Sequence, residues 1–275
     1  MQKKTSYFFL LPSLIGTIIF YLAPIALSVY YSFHESIFNS RFSGLDNYWS
    51  LFENEAFQLA LGNTLRFFGI AIPLIVLISL FLAILTVEIR ASWIVLCVLL
   101  PIVIPSGSVI GFSQSLFGEF YLNWLNTDMS FVSVVCIYLW RNMGFSFIII
   151  LIGLLRMDQN QIEAARIDGA NMFQIYRYIH IPNIRPYLYL ATLISVIGGF
   201  RIFRDVYAIY GKFPQQNVYM IQHFMHNKFE SLDYQMLSSS AFLVMAAMLA
   251  IAGLIYLAWR RPWVKEVHSS QEVSS

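Results

Sequence analysis

Two groups of charged and hydrogen-bonding side chains lie inside strongly apolar stretches of this sequence. The first group is Trp140, Arg141 and Asn142. The second group is Arg201, Arg204, Asp205 and Tyr207. Polar side chains in such surroundings are candidates for function by default. Aromatic rings with hydrogen-bonding groups suit a sugar, whereas two neighbouring arginines suit bidentate binding of an anion. The candidate binding residues are therefore Trp140, Asn142, Arg201, Arg204, Asp205 and Tyr207.

The spacing of the second group also permits a structural interpretation. The side chains of this group lie roughly on one side of a helix, because Arg204 and Asp205 follow Arg201 by three and four residues. Asp205 would then form an internal ion pair with Arg201 or Arg204. Alternatively, the arginines would extend their charged ends to the membrane interface. The binding interpretation and these structural ones all fit the spacing.

A third group of functional candidates lies in the polar segment 156–186, which reads RMDQNQIEAARIDGANMFQIYRYIHIPNIRP. Asp158 is typical of a helix N-cap, with Gln161 in the position of a capping box. Gly169 suits the left-handed residue that follows a helix. Asn171 and Gln174 repeat the capping pattern for a second helix, which Pro182 is expected to end. The segment therefore predicts two short helices that meet at a glycine.

Small side chains surround this predicted turn, namely those of Ala164, Ala165 and Ala170. They would let another surface approach the backbone closely. One interpretation is a docking element for a partner in the cytoplasm. The other is a structural helix pair that lies at the lipid boundary, with its arginine and tyrosine side chains reaching into the interface.

No catalytic or metal-binding constellation is predicted. His223 and His226 are three residues apart, but no acidic or cysteine partner is close in sequence. Cys97 and Cys136 match no zinc or CxxC pattern and are interpreted as buried free thiols. The nucleotide-binding and hydrolase patterns GxxxxGK[ST], GxSxG and HExxH do not occur.

The elements that position these residues are predicted from the apolar stretches. The chain has 275 residues, of which 58% are hydrophobic and 12% charged, against about 25% charged in an ordinary soluble domain. This composition excludes a typical soluble enzyme, a disordered chain and a nucleic-acid binder. A membrane-spanning helix needs about 20 mostly apolar residues. Six stretches qualify: 8–33, 64–87, 93–117, 132–155, 187–210 and 237–259.

These stretches predict an all-α, polytopic membrane protein with one transmembrane domain that covers residues 1–275. The first stretch is interpreted as a retained span that is irregular at Pro12 and Pro24. The polar tail 264–275 is expected to be disordered.

Basic residues in the connections predict the orientation. Ten would lie on one side: Lys3, Lys4, Arg90, Arg156, Arg166, Arg177, Arg185, Arg260, Arg261 and Lys265. Three would lie on the other: Arg41, Lys212 and Lys228. Lysine and arginine accumulate on the cytoplasmic side of membrane proteins. Both termini and the segment 156–186 are therefore predicted to be cytoplasmic.

The segment 156–186 resembles the EAA loop of permease subunits in binding-protein-dependent ABC importers. The family pattern is E-A-A, three residues, G, nine residues and I-x-L-P. This chain has Glu163-Ala164-Ala165, then Gly169, then Ile179-His180-Ile181-Pro182, with Ile in place of Leu. The fuller D-G-A form is met by Asp168, Gly169 and Ala170.

The resemblance extends over nearly the whole chain and favours the sugar type, related to maltose and glycerol-3-phosphate permeases. FLLPSLIGTIIFYLAPIALSVYYSF resembles the first span of these permeases, and GLDNYWSLFENEAFQLALGNTLRF their external loop. LLPIVIPSGSVIG resembles the P-x-x-x-P segment of the third span. The T-x-G-G-P region is matched loosely, by Tyr210-Gly211-Lys212-Phe213-Pro214, which lacks one glycine.

The resemblance implies a transport subunit without catalysis of its own, in a bacterial plasma membrane. Its partners would be a second, non-identical permease, two ATP-binding subunits and an extracytoplasmic solute-binding protein. ATP and magnesium would bind the ATPases, and this chain would hold no cofactor. The segment 156–186 would be the cytoplasmic coupling segment, which transmits ATP-driven closure of the ATPases to the spans. Contact with an ATPase is expected from Glu163, Ala164, Ala165, Asp168, Gly169 and Ala170.

The implied cargo is a sugar or oligosaccharide that moves by alternating access. An anionic or modified solute, such as glycerol 3-phosphate, is the alternative. An integral membrane enzyme is a remote one.

Overall fold

A computed structural model of the chain describes residues 11–35, 41–105, 107–108, 111–112, 115 and 129–259. Regular structure in this part of the chain is helical, apart from an isolated antiparallel bridge between His34 and Phe42. The predicted all-α fold is therefore confirmed. The predicted tail 264–275 lies outside the described residues.

Five of the described helices are long and apolar enough to cross a membrane: Leu11–Ser32, Glu55–Ile89, Ser130–Leu155, Arg185–Tyr210 and Tyr234–Ala258. The predicted stretch 93–117 begins with a shorter apolar helix, Ser92–Val103. Much of that stretch beyond Pro105 lies outside the described residues. The count of six spans therefore stays a prediction.

The helices are numbered in chain order as follows: α1 Leu11–Ser32, α2 Asp46–Glu53, α3 Glu55–Ile89, α4 Ser92–Val103, α5 Ser130–Leu155, α6 Gln159–Ile167, α7 Met172–Ile175, α8 Arg185–Arg201, α9 Phe203–Tyr210, α10 Ile221–Glu230 and α11 Tyr234–Trp259. The chain divides into two compact units. One comprises Met1–Asn63 and Tyr219–Leu249, and the other Thr64–Val218 and Ala250–Ser275.

In the first unit, polar side chains satisfy the backbone where α1 ends. The Asn47 amide donates to the carbonyl oxygens of Ser32 and His34, each at 3.0 Å. The Tyr48 hydroxyl donates to the Ser32 hydroxyl at 2.9 Å. The last carbonyls of a helix have no partner inside the helix. These bonds therefore stabilise the end of α1.

A proline explains the irregularity expected in α1. A π-helical turn, Ile18–Leu22, comes directly before the segment that contains Pro24. In this turn the Ala23 N–H donates to the Ile18 carbonyl, five residues back. Proline lacks an N–H and clashes with the carbonyl four residues earlier in a regular helix. The wider turn accommodates it.

In the second unit, α5 packs closely against α4 and α8 because small residues lie at the contacts. A Cβ on Gly144 would lie 2.9 Å from the Val98 carbonyl oxygen in α4. A Cβ on Gly153 would lie 2.7 Å from the ring of Tyr187 in α8. Small residues of this kind allow close helix packing where lipid supplies no hydrophobic driving force.

Buried hydroxyl groups strengthen the contact between α5 and α8. The Tyr138 hydroxyl donates to the Ser195 carbonyl oxygen at 2.6 Å. The hydroxyls of Ser146 and Ser195 are 2.8 Å apart and share a hydrogen bond. These bonds hold the two helices in a defined register.

We expect Gly144→Ala to destabilise the second unit by about 1–3 kcal/mol, because the added methyl group overpacks the contact with α4. The matched control is Gly253→Ala in α11, where a Cβ meets no atom within 4 Å. There the helix-favouring alanine should leave stability unchanged or raise it by up to about 1 kcal/mol. Thermal unfolding of both purified variants measures the difference. Equal melting temperatures would contradict the packing assignment.

Candidate functional site

A cavity of about 480 Å³ lies in the second unit at the junction of α8 and α9. Its polar lining comprises Arg141, Asn142, Arg201, Arg204 and Asp205. Of the six predicted binding residues, four therefore line one cavity. The other two, Trp140 and Tyr207, are not in the lining. Their rings lie 5.9 Å from that of Phe112 and 5.4 Å from that of Phe203, respectively.

The cavity lies where the helical span Arg185–Tyr210 is interrupted at one residue. α8 ends at Arg201 and α9 begins at Phe203, with Ile202 between them. The Ile202 carbonyl oxygen accepts hydrogen bonds from the backbone N–H groups of Asp205 and Val206, both at 3.0 Å. Irregular backbone at membrane depth is tolerated where it is buried in protein or lines a cavity. The interruption at Ile202 is therefore compatible with a position inside the membrane, because Ile202 lines the cavity.

Two glycines before the break bring α8 close to other helices. A Cβ on Gly198 would lie 2.9 Å from the Asn142 side-chain oxygen, and one on Gly199 would lie 2.8 Å from the Phe68 ring. Larger residues would displace these side chains. Gly198 therefore keeps Asn142 at the cavity wall.

An ion pair joins the two groups of predicted residues. The Arg141 guanidinium donates to the Asp205 carboxylate, and Asp205 is only 4% exposed. The ion pair considered for Asp205 is therefore present, but its partner is Arg141 and not Arg201 or Arg204. The reason is that Asp205 is buried towards α5, whereas Arg201 and Arg204 are exposed.

The predicted coupling segment begins as expected, with one difference in its cap. Asp158 is the N-cap of α6, and its carboxylate accepts a hydrogen bond from the Asn160 N–H at 3.0 Å. The donor is the second residue of the helix. The cap therefore consists of this one hydrogen bond, in place of the reciprocal capping box expected with Gln161. Either bond satisfies an N–H that has no partner inside the helix.

The turn after α6 is a Schellman motif centred on Gly169. The Ala170 N–H donates to the Ala165 carbonyl at 2.9 Å, and the Gly169 N–H donates to the Arg166 carbonyl at 3.1 Å. Gly169 has a φ of 83°, in the left-handed region that favours glycine. The turn is therefore a defined structure that holds the short helices at an angle.

The second short helix begins with a complete capping box. The Asn171 side chain accepts from the Gln174 N–H at 2.9 Å, and the Gln174 side chain accepts from the Asn171 N–H at 2.8 Å. The predicted end at Pro182 is wrong, because the helix continues through a π-helical turn, Tyr176–His180, into Ile181–Asn183. The wider turn accommodates this proline as it does in α1.

The coupling segment exposes apolar side chains beside a shallow depression. The depression measures about 360 Å³ and is lined in part by Asp168, Gly169 and Ala170. Ile167, Phe173 and Tyr178 are 86%, 71% and 65% exposed. The other predicted contact residues, Glu163, Ala164 and Ala165, are exposed or half-buried on α6. Contiguous exposed apolar side chains mark interaction surfaces.

A cluster that the sequence analysis missed joins this segment to the end of α3. The Tyr176 hydroxyl donates to the Glu88 carboxylate in the last turn of α3, and the Tyr176 ring lies 4.4 Å from that of His180. Burial, and then the Glu88 charge, raise the pKa of the Tyr176 hydroxyl. Tyr176 therefore stays protonated and donates. Burial lowers the pKa of the His180 imidazole, which Glu88 partly opposes.

The two histidines of the 211–233 connection do not form a metal centre with other residues. His223 is buried, and burial followed by the nearby His226 lowers its pKa to about 4. The His226 imidazole lies 3.1 Å from the Glu230 carboxylate. In the described ranges, no group of three or more histidine, cysteine and acidic residues could hold a metal ion. Cys97 and Cys136 are free thiols but exposed, contrary to the expected burial.

Residues 60–262 match the family model "Binding-protein-dependent transport system inner membrane component". This chain therefore belongs to that family, the permeases of ABC importers, and the predicted family is confirmed. It is a multi-pass membrane protein and a transport component rather than an enzyme.

Curated relatives cover most of the chain. It is 26% identical to the trehalose/maltose transport system permease MalF of Thermococcus litoralis, over 93% of both chains. It is 29% identical to the arabinooligosaccharide permease AraP of Bacillus subtilis, over 76% of this chain and 73% of AraP. It is 26% identical to the sn-glycerol-3-phosphate permease UgpA of Yersinia enterocolitica, over 92% of both.

A solved structure has the same fold. It is a bacterial ABC transporter involved in the import of the acidic polysaccharide alginate. The match has a TM-score of 0.77 at 20% identity and covers 95% of this chain and 97% of that one.

We expect Tyr176→Phe to loosen the coupling segment, because it removes the charge-assisted hydrogen bond that joins this segment to Glu88 at the end of α3. Amide hydrogen exchange over residues 172–180 should become several-fold faster. Tyr178→Phe is the matched control, since it removes the same hydroxyl from an exposed side chain two residues away. Equal exchange in the two variants would show that the Glu88 bond does not hold the segment.

Proposed function

We propose that this permease carries a sugar or oligosaccharide across a bacterial inner membrane. With a second, non-identical permease it forms the translocation path, and an extracytoplasmic binding protein delivers the substrate. Two cytoplasmic ATPases bind ATP and magnesium and drive alternating access, and this chain holds no cofactor. Both termini lie in the cytoplasm.

The relatives support the choice of substrate class. Their names refer to trehalose and maltose, to arabinooligosaccharides and to glycerol 3-phosphate. The trehalose/maltose and arabinooligosaccharide permeases favour a sugar or oligosaccharide as the substrate. An anionic solute such as glycerol 3-phosphate is the second candidate, since Arg201 and Arg204 are exposed at the cavity.

The cavity at the break between α8 and α9 is proposed as part of the substrate path. Asn142, Arg201 and Arg204 would contact the substrate, whereas Asp205 would act mainly through its ion pair with Arg141. That pair fixes α9 against α5 and so shapes the cavity wall. Trp140 and Tyr207 would contribute aromatic surroundings next to this wall.

The segment that contains α6 and α7 is proposed as the contact with an ATPase. Glu163, Ala164 and Ala165 would present one side of α6. Asp168, Gly169 and Ala170 would present the Schellman turn and its depression. A rigid helical element transmits the closure of two ATPases better than a flexible loop, because the movement must be converted into rotation of the spans.

The observation that carries this proposal is the family match together with the capped, glycine-centred turn in the EAA-like segment. Its test is to purify the chain with its neighbouring gene products and to measure ATP hydrolysis with candidate sugars and their binding protein. Two ATPases should co-purify, and loaded binding protein should stimulate hydrolysis. Absence of an associated ATPase would overturn the proposal.

In that purified importer, Gly169→Asp should reduce sugar uptake at least tenfold while basal ATP hydrolysis persists. A Cβ at Gly169 meets no atom within 4 Å, so the substitution causes no steric clash within this chain, although it strains a backbone whose φ is 83°. Gly169→Asn is the uncharged counterpart of Gly169→Asp, and asparagine also adopts positive φ. Comparison of the two variants therefore separates the effect of the added charge from that of backbone strain.

The matched control is Gly44→Asp, where φ is 59° and the nearest atom to a Cβ is 3.8 Å away. Gly44 lies outside the coupling segment, and its variant should keep coupled uptake. Normal uptake by Gly169→Asp at normal expression would contradict the coupling role.

A further inference from the structure

We propose that the cavity between α8 and α9 selects a saccharide that carries a negative charge, and that Arg201 and Arg204 bind its anionic group. This inference rests on the proposed function, because it takes the cavity as part of the substrate path. It goes further by stating which class of sugar the cavity accepts.

The charges of the cavity wall do not balance. Among the described lining residues, three guanidinium groups, those of Arg141, Arg201 and Arg204, face one carboxylate, that of Asp205, and the others are uncharged. Asp205 is 4% exposed and paired with Arg141. The pair is close to neutral, and the described part of the cavity wall therefore carries an excess of two positive charges.

Arg201 and Arg204 remain available to a ligand. Both are exposed, and in the part of the chain that the structure describes no hydrogen bond joins either guanidinium to another side chain. Arg204 does lie close enough to Asp205 for their charges to interact, but that carboxylate already accepts from Arg141. Both guanidinium groups therefore lie at the cavity wall without a hydrogen-bonded side chain among the described residues.

The position of these arginines makes an anionic ligand more favourable than a neutral one. They lie in the helical span Arg185–Tyr210, where a charge without a partner is costly. A carboxylate or phosphate on the substrate would offset this cost by pairing with one or both guanidiniums. Arginine presents a planar set of donors that matches either group bidentately.

The remainder of the wall suits a saccharide rather than a small inorganic anion. The volume of about 480 Å³ falls within the range of about 300–1,000 Å³ that is usual for organic ligands. Asn142 offers an amide to hydroxyl groups, and Phe145 and Phe200 offer aromatic surfaces. A sugar with one charged substituent would contact both the arginines and these uncharged side chains.

The test measures binding directly on the intact importer, with this chain, its partner permease and the ATPases together in lipid nanodiscs. Saturation-transfer NMR, which detects weak binding, would compare trigalacturonate, its fully methyl-esterified form, glucose 6-phosphate and maltotriose. The ester keeps the sugar stereochemistry and removes the charge. At least one acidic probe should bind tenfold or more tightly than the ester and maltotriose, and the two acidic probes distinguish carboxylate from phosphate.

Variants then assign the preference to the two arginines. Arg201→Gln and Arg204→Gln should each reduce the preference for the acidic probe several-fold, and Arg204→Lys should retain part of it. Lys212→Gln is the control, because it removes a positive charge just beyond α9 from a residue outside the lining. It should leave the preference unchanged.

The outcomes separate this inference from the proposed function. Equal binding of neutral and acidic probes by the unaltered importer would overturn the anionic preference and leave a permease for neutral sugars. An acidic preference that survives both glutamine variants would overturn the assignment to Arg201 and Arg204. Stimulation of ATP hydrolysis by no sugar at all would overturn the proposed function itself.

Discussion

The constraint that governs this structure is that a chain in lipid must satisfy its backbone polar groups and its charges internally. Long helices meet this requirement along most of the chain. At the break at Ile202 the carbonyl oxygen accepts two N–H groups, and the neighbouring carboxylate of Asp205 is paired with Arg141. A buried charge in lipid is costly unless it is paired. The short interruption and this ion pair lie together beside the cavity that is proposed as part of the substrate path.

In the polar segment 156–186, side chains that are close in sequence satisfy the backbone groups at the helix ends. Asp158 and Asn171 cap the two short helices, and Gly169 closes the turn between them. Buried side chains and the bond from Tyr176 to Glu88 then hold this segment against the end of α3. The result is a capped, hydrogen-bonded element with an exposed apolar surface, as the proposed contact with an ATPase requires.

The sequence predicted features that depend on neighbouring residues and missed those that depend on distant ones. Apolar stretches indicated the long helices, and the Asn171 and Gln174 spacing indicated a capping box that is present. The partner of Asp205 is 64 residues away on another helix, and the Glu88 bond spans 88 residues. Such pairs depend on how the helices pack against one another, and the spacing of apolar residues along the sequence does not reveal this. Pro182 illustrates another reason, since a π-helical turn accommodates a residue that ends a regular helix.

The connectivity of the second unit links the two proposed sites directly. The coupling segment follows α5 directly and leads into α8, and these two helices supply most of the polar wall of the cavity. The bonds of Tyr138 and Ser146 to Ser195 hold α5 and α8 together beside the cavity. α8 has 17 residues, a length of about 25 Å at 1.5 Å per residue. Under the proposed coupling role, a displacement of the segment would act on both helices, and Ile202, where α8 ends, is the place at which that displacement would reach the cavity.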